Sequence, residues 1–296
     1  MINCTTIHEV KEQVEHLDKA SIVPVFIEDN GVNKPVEKFV GIYNNSKGEF
    51  CNVVTPHYKL VQHKDYIVNF ANALDRLNIK YDMEIKPDGN KVFVDVMFRD
   101  KNHKFEKLNE EFITGIRLIN SYDKSTGLGI MPRYTRLACT NGMIMTRSEM
   151  KFNVRHNSKM LEEIETFIEK RLNSIINSSE ELKGYVSSCI GDSIEWLTVT
   201  KILEKIFLQF KHREEILKRL NISVVVTKEL NKKKEINYIM ENKKRKKITR
   251  WELYNAITDY LTHGEHITPF VETINQKHAE KILMTPLKEL EIEVCK

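Results

Sequence analysis

The sequence has few of the residues that hold secreted or metal-stabilised domains together. Its 296 residues include five cysteines, which are far apart and contain no Cys-x-x-Cys pair. That spacing excludes a disulfide framework and a zinc knuckle as the basis of the fold. No window approaches the roughly 18 uninterrupted apolar residues of a membrane-spanning helix, and the first residues lack the apolar run of a signal peptide. We therefore expect reduced thiols, a cytoplasmic location and no membrane partner.

Motifs for cofactors are also missing. The sequence contains no His-Glu-x-x-His pair and no phosphate-binding Walker loop. Gly127 and Gly129 form a Gly-x-Gly that does not precede a helical pattern, so they do not make a dinucleotide fingerprint. A two-metal centre needs several converging carboxylates, which only the fold could gather from Asp82, Asp95 and Asp123. We expect no cofactor and no bound metal.

Charged residues are plentiful and nearly balanced. Lys and Arg number 46 against 42 Asp and Glu, which gives a net charge of +4. The balance is mildly basic and far from that of a polybasic protein. Charged residues make up 30% of the chain, so we expect solvated helices around a core whose size suits one large domain or two modest ones.

Alternation of apolar and polar residues dominates the first half. Short β-type runs separated by turn residues fill much of 20–155, and Asp88-Gly89 predicts a tight hairpin. A short amphipathic helix is predicted over 4–19, and a second over 63–78 in which one apolar stripe includes Phe70. We predict an antiparallel sheet with one packed helix over residues 1–156.

Helical spacing dominates the second half, residues 157–296, which we expect to pack on the sheet. Thr249 and Glu252 have the spacing of a capping box that starts one helix, and Gly264 follows its last turn. The predicted fold class is therefore α+β: an antiparallel β-sheet with a covering helix, followed by a mostly helical C-terminal half. The remaining predicted elements are helices over 158–177, 180–220 with a break near Gly191, and 270–284, with a basic linker near 231–248.

Asn141-Gly142 is the strongest short hairpin signal of this region, because both central residues of a type I′ turn need a positive φ. On this interpretation Cys139 lies in a strand, where a cysteine is usually a small buried hydrophobe. The alternative is a catalytic centre in which the fold brings Cys139, His156 and Asp123 together. The sequence leaves both interpretations open.

Arginines are concentrated between residues 117 and 155. Arginine is favoured where planar, bidentate contacts to phosphate or carboxylate are made. One interpretation is a phosphate-binding surface, helped by Tyr122 and Tyr134 as platforms for base stacking. The other is that the arginines pair with carboxylates across the sheet. The candidates for phosphate contact are Arg117, Lys124, Arg133, Arg136, Arg147 and Arg155.

The densest basic block of the chain lies just before the capping box. A charge run is usually a solvated loop, but a basic patch also attracts the phosphate backbone. Trp251, Asn255 and Thr258 share one face of the helix that follows. Asn255 is either a buried residue of a packed helix, hydrogen-bonded to the sheet, or it completes a polar pocket with Asn120, Ser121 and His156. The basic candidates here are Lys243, Lys244, Arg245, Lys246, Lys247 and Arg250.

Several stretches together resemble the phage/plasmid-like proteins called domain of unknown function 932. They are IRLINSYDKSTGL from residue 116, RYTRLACTNGMI from 133 and TRWELYNAITDYLTHGE from 249, and the resemblance covers roughly residues 40–285. It implies a phage, plasmid or integrated-element setting, and no catalytic residue, because that family has no assigned activity. Lys124-Ser125 stand where the family pattern leads us to expect Gly-Ser. The matching positions are Asn120, Ser121, Asp123, Arg136, Cys139, Asn141, Gly142, His156, Trp251, Asn255, Thr258 and His263.

Three functions are consistent with these features. The favoured one is a nucleic-acid-binding protein of a phage, plasmid or integrated mobile element, acting in replication, recombination or host conflict, with single-stranded DNA or RNA as its partner. The second is an enzyme acting on nucleic acid or nucleotides through a polar centre around His156. The third is a protein-binding inhibitor of a host defence system, and a homo-oligomer is compatible with each.

Overall fold

The computed structural model describes most of the chain and divides it into two compact units. The first comprises Met1–Lys104, Glu111–Thr135 and Ile144–Ser178, and the second Phe105–Glu110, Arg136–Met143 and Ser179–Lys296. Antiparallel sheets and several helices make the protein α+β, as predicted. The described residues are 2–105, 110–136, 142–144, 152–154, 169–170, 172, 174–175, 179–230, 233–240, 247–265, 267–285 and 289.

A main antiparallel sheet and a smaller one organise the first half of the chain. The elements are β1 (Ile2–Cys4), α1 (Ile7–Val14), β2 (Ala20–Asp29), β3 (Val32–Asn44), β4 (Glu49–Val54), α2 (His63–Arg76), β5 (Tyr81–Asp88), β6 (Lys91–Phe105), β7 (Glu110–Ser121), β8 (Leu128–Arg136), β9 (Gly142–Ile144) and β10 (Phe152–Val154). The main sheet has the order β1-β5-β6-β7-β8-β10, with β9 also paired to β8, and the small sheet has the order β2-β3-β4.

The two helices α1 and α2 cover one face of the main sheet. The Thr6 hydroxyl accepts from the Glu9 amide while the Glu9 carboxylate accepts from the Thr6 amide, a capping box that starts α1. Tyr66, Phe70 and Leu74 of α2 form the predicted stripe and are buried. The sheet supplies the opposing layer, in which Val92, Val94, Val96, Ile116, Leu118, Leu128 and Ile130 are buried. The alternating apolar residues of the strands and the apolar stripe of α2 therefore pack together in one core.

The hairpin of β5 and β6 confirms the predicted pairing but shifts its turn by one residue. Asp88 pairs with Lys91, so the two-residue loop is Gly89-Asn90 and not Asp88-Gly89. Gly89 has a φ of 61°, a conformation that glycine adopts without the steric cost of a Cβ. The alternation places Phe93 and Asp95 on the face opposite the helices.

The second unit combines helices with short strands. The break predicted near Gly191 is present, and the capping box of Thr249 and Glu252 starts the helix that was expected. Parts of the predicted basic linker are strands, because residues 233–240 pair with residues 222–230. The elements are α3 (Ser179–Gly191), β11 (Ser193–Glu195), α4 (Trp196–Ile206), α5 (Phe210–Arg219), β12 (Ile222–Leu230), β13 (Lys233–Met240), β14 (Lys247–Thr249), α6 (Arg250–His263) and α7 (Pro269–Met284).

Among the helices described, none is both long enough and apolar enough to cross a membrane.

Candidate functional site

The loop that follows β7 carries the first group of motif residues. The Ser121 hydroxyl donates to the Thr126 carbonyl at 2.6 Å and accepts from the Thr126 amide at 3.2 Å, which closes the loop on itself. One carboxylate oxygen of Asp123 accepts from the amide and the hydroxyl of Ser125. Lys124 has a φ of 60°, a left-handed conformation that glycine adopts more easily. The motif therefore builds a fixed turn.

Both carboxylate oxygens of Asp123 and its backbone carbonyl have bonding partners. Its second carboxylate oxygen forms an ion pair with Lys91 at 2.8 Å, and its backbone carbonyl accepts from Asn52 at 2.6 Å. Partial burial alone raises the pKa of Asp123, but the hydrogen bonds from Lys91 and Ser125 outweigh burial and lower that pKa below its ordinary value. A carboxylate held in its ionised form is a poor general acid. The geometry favours a structural role for Asp123.

Asn120 joins β7 to the start of α2. Its side-chain amide donates to the Val61 carbonyl and contacts His63 Nδ1, both at 3.0 Å. The His63 ring stacks on Tyr122, with ring centroids 3.8 Å apart. Asn120 and Tyr122 are completely buried, so this polar cluster belongs to the interior of the first unit. Tyr122 is not available as an exposed stacking platform for a base, and the same holds for Tyr134, which is buried too.

The Tyr122 hydroxyl connects three segments of the chain. It accepts from the His63 backbone amide at 3.1 Å, donates to the Asp18 carbonyl at 2.9 Å and lies 3.1 Å from Gln62 Oε1. Gln62 in turn bonds both the amide and the carbonyl of Ala20. The hydroxyl is therefore a junction between the chain before β2, the entry to α2 and the end of β7. Desolvation by burial raises the pKa of Tyr122, so it stays protonated.

Replacing Tyr122 by phenylalanine should lower the free energy of unfolding by about 1–3 kcal/mol, because the His63 amide and the Asp18 carbonyl lose a buried partner. Urea unfolding of the full chain measures this change. Tyr43→Phe in β3 is the matched control, since Tyr43 is only half-buried, and we expect it to change stability by less than about 0.5 kcal/mol. Equal effects of the two substitutions would contradict the junction role of Tyr122.

A pocket of about 370 Å³ opens beside this junction. Two of its charged side chains already have partners, because Asp18 pairs with Lys47 at 2.7 Å and Lys64 pairs with Glu15. The bonds from Lys47 and Asn44 also lower the pKa of Asp18 against the opposing effect of its desolvation. A ligand here would compete with internal ion pairs. The lining residues are Asp18, Lys19, Ala20, Asn45, Gln62, Lys64 and Asp65.

Arg117 of β7 and Arg133 of β8 lie in the interior and not on an outward-facing surface. Arg117 is completely buried, and its guanidinium group bonds both carboxylate oxygens of Asp95, at 2.5 and 2.6 Å. Arg133 is 5% exposed, and its Nε lies 3.7 Å from the same carboxylate. Burial drives pairing of these charges, since an unpaired ion in the interior is strongly disfavoured. The prediction that Arg117 and Arg133 form an exposed phosphate surface is corrected by this burial.

Asp95 is the centre of a charged cluster that spans four strands. It also bonds Lys86 of β5 at 2.9 Å, and Lys86 pairs with Glu84 at 2.6 Å. The Arg117 guanidinium lies 6.0 Å from the centre of the Phe93 ring. Although burial alone raises the pKa of Asp95, the charges of Arg117 and Arg133 hold that pKa well below its ordinary value. We refer to Glu84, Lys86, Asp95, Arg117 and Arg133 as the Asp95 cluster.

Helix α6 carries the second group of motif residues. Trp251 stacks on Tyr254 with centroids 5.4 Å apart, and the Thr258 hydroxyl donates to the Tyr254 carbonyl. The side chains of Trp251 and Thr258 are buried, whereas that of Asn255 is half-buried. The helix packs on α3, α5 and α7 within the second unit. The described contacts favour a packing role for this motif, which ends at His263 where α6 ends.

Arg250, a predicted phosphate contact, is also buried. Its Nε lies 3.1 Å from the Cys189 sulfur, one terminal nitrogen donates to Ser188 at 2.7 Å, and Nε pairs with Asp192 at 3.4 Å. It further donates to the Thr285 carbonyl. These contacts join α3, α6 and the end of α7, so the prediction of an exposed Arg250 is corrected.

The remaining predicted contact and motif residues are exposed or lie outside the described part of the chain. Lys124 and Lys247 are exposed, while the following candidates have positions or side chains outside the described part: Arg136, Cys139, Asn141, Gly142, Arg147, Arg155, His156, Lys243, Lys244, Arg245 and Lys246. Sequence reasoning did not identify His63, Gln62 or Asn44 as parts of the polar network. Only the fold brings His63 to Asn120, Gln62 to Tyr122 and Asn44 to Asp18. Among the residues that the structure describes, no group of three His, Cys, Asp or Glu side chains is placed to hold a metal ion.

The positive charge of the chain is concentrated in one stretch of the second unit. Residues 201–250 contain sixteen Lys and Arg against six Asp and Glu, a net charge of +10 in a chain whose total is +4. The rest of the chain is therefore acidic. Part of this stretch is the hairpin of β12 and β13, whose Lys228 and Leu230 pair with Glu235 and Lys233 near the tip. Lys247 begins β14, which pairs with β11.

Comparison with known proteins assigns the chain to a family without a known activity. The profile of the family described as a domain of unknown function, DUF932, matches residues 51–283. The chain therefore belongs to this family, and the sequence resemblance is confirmed. No curated protein and no solved structure matches the chain.

Proposed function

We propose that this protein binds nucleic acid through the basic stretch 201–250 of its second unit. The single observation that carries the proposal is the segregation of charge, +10 in this stretch against −6 in the remaining residues. A protein that neutralises phosphates releases condensed counterions, and this release drives sequence-independent binding. The acidic remainder would repel the same polyanion. Binding would therefore be restricted to one region of the chain.

The hairpin of β12 and β13 supports this proposal by its length. At about 3.3 Å per residue, its nine- and eight-residue strands extend roughly 25–30 Å. That length corresponds to about eight base pairs at 3.4 Å each. The sequence places Lys228 and Lys232–Lys234 around its tip, and Lys243–Lys247 follow its second strand. Two basic groups separated in this way could follow a phosphate backbone.

The biological setting is also a proposal. The family resemblance supports a phage, plasmid or integrated-element protein, with a role in replication, recombination or host conflict and a cytoplasmic location. Arg117, Arg133 and Arg250 are left out of the proposed contact surface because they are buried.

The proposal predicts salt-dependent binding by the full-length protein. We expect a labelled single-stranded oligonucleotide, long enough to cover the hairpin, to bind at about 50 mM salt and to lose roughly a hundredfold to a thousandfold in affinity by about 200 mM, for about six phosphate contacts. Fluorescence anisotropy measures both values, with RNA and duplex DNA of the same sequence as comparisons. Absence of binding to every oligonucleotide at the lowest salt would refute the proposal.

A further inference from the structure

The small sheet exposes an unusual amount of apolar surface. Ten large hydrophobic residues are exposed in the described part of the chain, and seven of them lie between residues 22 and 53. We call residues 24–39, the outer end of the β2–β3 hairpin, the arm. Its side chains are exposed or half-buried throughout, so the arm extends from the first unit. The seven residues are Ile22, Phe26, Ile27, Val32, Phe39, Phe50 and Val53.

One face of the small sheet is packed and the other is open. Ala20, Ile42 and Val54 pack with Tyr122 on the inner face. On the outer face the Phe50 ring lies against Gly41, where an added Cβ would be 2.4 Å from the ring, and the ring is still 54% exposed. Gly41 pairs with Val23 and Val53 in the sheet register. The exposed apolar side chains of the arm lie on both faces of its hairpin, since Phe26 and Ile27 are consecutive in β2. Those on the outer side continue into the outer face of the small sheet.

The charges of the arm do not suit a polyanion. It contains Glu28, Asp29 and Glu37 against Lys34 and Lys38, a net charge of −1. The acidic pair ends β2, and both lysines lie on β3. Asp29 and Lys34 pair with each other within the arm at 2.5 Å, and Glu37 lies on β3 between the two lysines. In a twofold contact that places the end of β2 in one arm against β3 of the other, Glu28 would face Lys38.

We propose that the arm and the outer face of the small sheet pack against the same surface of a second copy of this chain. A contact that uses one patch twice closes as a dimer. Pro24 lies within β2 and has no backbone N–H, which disfavours strand addition along that edge. The contact is therefore between side chains and not a continuation of the sheet.

The available area is sufficient for a specific dimer. Phe26, Phe39 and Phe50 keep about half of their ring surfaces exposed, and a phenylalanine buries about 150–250 Å². Ile22 lies opposite the inner-face residue Ile42 and is not counted. With Ile27, Val32 and Val53, a contact that encloses both faces of the arm covers on the order of 500 Å² of apolar surface in each copy, and two copies bury on the order of 1,000 Å². That area reaches the lower limit of specific interfaces. A patch of about 500 Å² is toward the upper end of what a typical monomer exposes, and patches of that size are often functional.

Sedimentation velocity of the full-length protein tests the dimer. We expect the wild-type chain of 34.8 kDa to sediment as a dimer and Phe26→Lys/Phe39→Lys to sediment as a monomer. Both rings are exposed in the single chain, so the far-UV circular dichroism spectrum should not change, while the unfolding midpoint should lose the dependence on protein concentration that a dimer shows. Leu208→Lys is the matched control, because Leu208 is 89% exposed in the second unit, and it should remain dimeric.

A charge exchange tests whether the contact is self-complementary. Glu28→Lys alone and Lys38→Glu alone should each weaken self-association at least about tenfold, because like charges then face one another. An equimolar mixture of the two variants should associate as the wild type does, since each altered strand meets its complement. A wild-type monomer at all concentrations, a dimeric double-Lys variant, or a mixture that fails to associate would each overturn the proposal.

Discussion

Replacing Asp95 by asparagine is expected to destabilise the protein by about 3–5 kcal/mol. Arg117 is completely buried and bonds both oxygens of the Asp95 carboxylate, at 2.5 and 2.6 Å. Asparagine keeps the size of the side chain but removes its charge, so the buried Arg117 guanidinium loses the carboxylate that it bonds twice. Removing one partner of a buried pair costs about this amount. Urea unfolding followed by intrinsic fluorescence measures the loss.

Asp82→Asn is the matched control for this substitution. Asp82 lies on the neighbouring strand β5 and also bonds an arginine through both oxygens, but Arg99 is exposed. Surface ion pairs contribute roughly 0–1 kcal/mol, so Asp82→Asn should change the free energy of unfolding by no more than that. Equal losses for Asp82→Asn and Asp95→Asn would contradict the claim that burial makes the Asp95 carboxylate essential to stability.

The pH dependence of stability should differ between the wild type and Asp95→Asn. The charges of Arg117 and Arg133 lower the pKa of Asp95 in the folded state below its value in the unfolded chain, which is near 3.9. The ionised carboxylate therefore contributes its full stabilisation above about pH 5 and loses it as the pH falls through the acid range. Between about pH 5 and pH 2 the wild type should lose stability more steeply than Asp95→Asn.

Neutralising the basic block, residues 243–247, should cause a large loss of affinity for nucleic acid. The variant that tests this has glutamine in place of Lys243, Lys244, Arg245, Lys246 and Lys247, and it lacks five positive charges. The slope of log affinity against log salt concentration should become shallower by about 0.7 for every phosphate of a single strand that the protein no longer neutralises. We expect affinity at low salt to fall by roughly tenfold to a hundredfold, on the same principle. Anisotropy titration at one fixed salt concentration measures this decrease.

A second variant that loses the same number of charges elsewhere tests whether the position of the basic residues matters or only the net charge. Glutamine substitution of five exposed lysines of the first unit also removes five charges, and the two variants have the same formal net charge. The first-unit variant should bind within about twofold of the wild type, since distant surface charges are largely screened at 0.1 M salt. A first-unit variant that loses as much affinity as the block variant would contradict the placement of the site. The five lysines are Lys11, Lys19, Lys59, Lys80 and Lys170.

The secondary structure could largely be predicted because local patterns determine it. The stripe that includes Phe70 specifies α2, and the alternation from Lys91 onward specifies β6, since each pattern has the period of its element. The capping box at Thr249 fixes the start of α6 in the same local way. The β12–β13 hairpin was not predicted, because lysines near its tip resemble a solvated linker and its valines have no period that excludes a helix.

The roles of the arginines could not be predicted from the sequence. Strand spacing predicts which face a side chain takes, but it does not say which face is buried. Arg117 lies in β7, and its partner Asp95 is 22 positions earlier in β6, so only the pairing of the strands joins them. The sequence left two interpretations open for Arg117 and Arg133, and the structure favours internal pairing with a carboxylate. The phosphate-binding surface predicted for these two residues was wrong because both are buried.

The polar network of the motif also depended on distant contacts. Asn120 was identified as a motif position, but its partner His63 lies 57 residues earlier in the chain. Tyr122 was assigned to base stacking, whereas the fold places its ring on His63 and its hydroxyl among three chain segments. A polar residue that follows a strand can be recognised locally, but its partners are set by tertiary structure.

Lysine footprinting tests the central claim most directly. The full-length protein is acetylated under limiting reagent with and without a saturating oligonucleotide at low salt, and mass spectrometry measures the modification of each lysine. The proposal predicts protection of lysines between Lys201 and Lys247, with Lys47, Lys124 and other lysines of the first unit unchanged. Protection confined to the first unit, with the lysines between Lys201 and Lys247 modified as in the free protein, would contradict it.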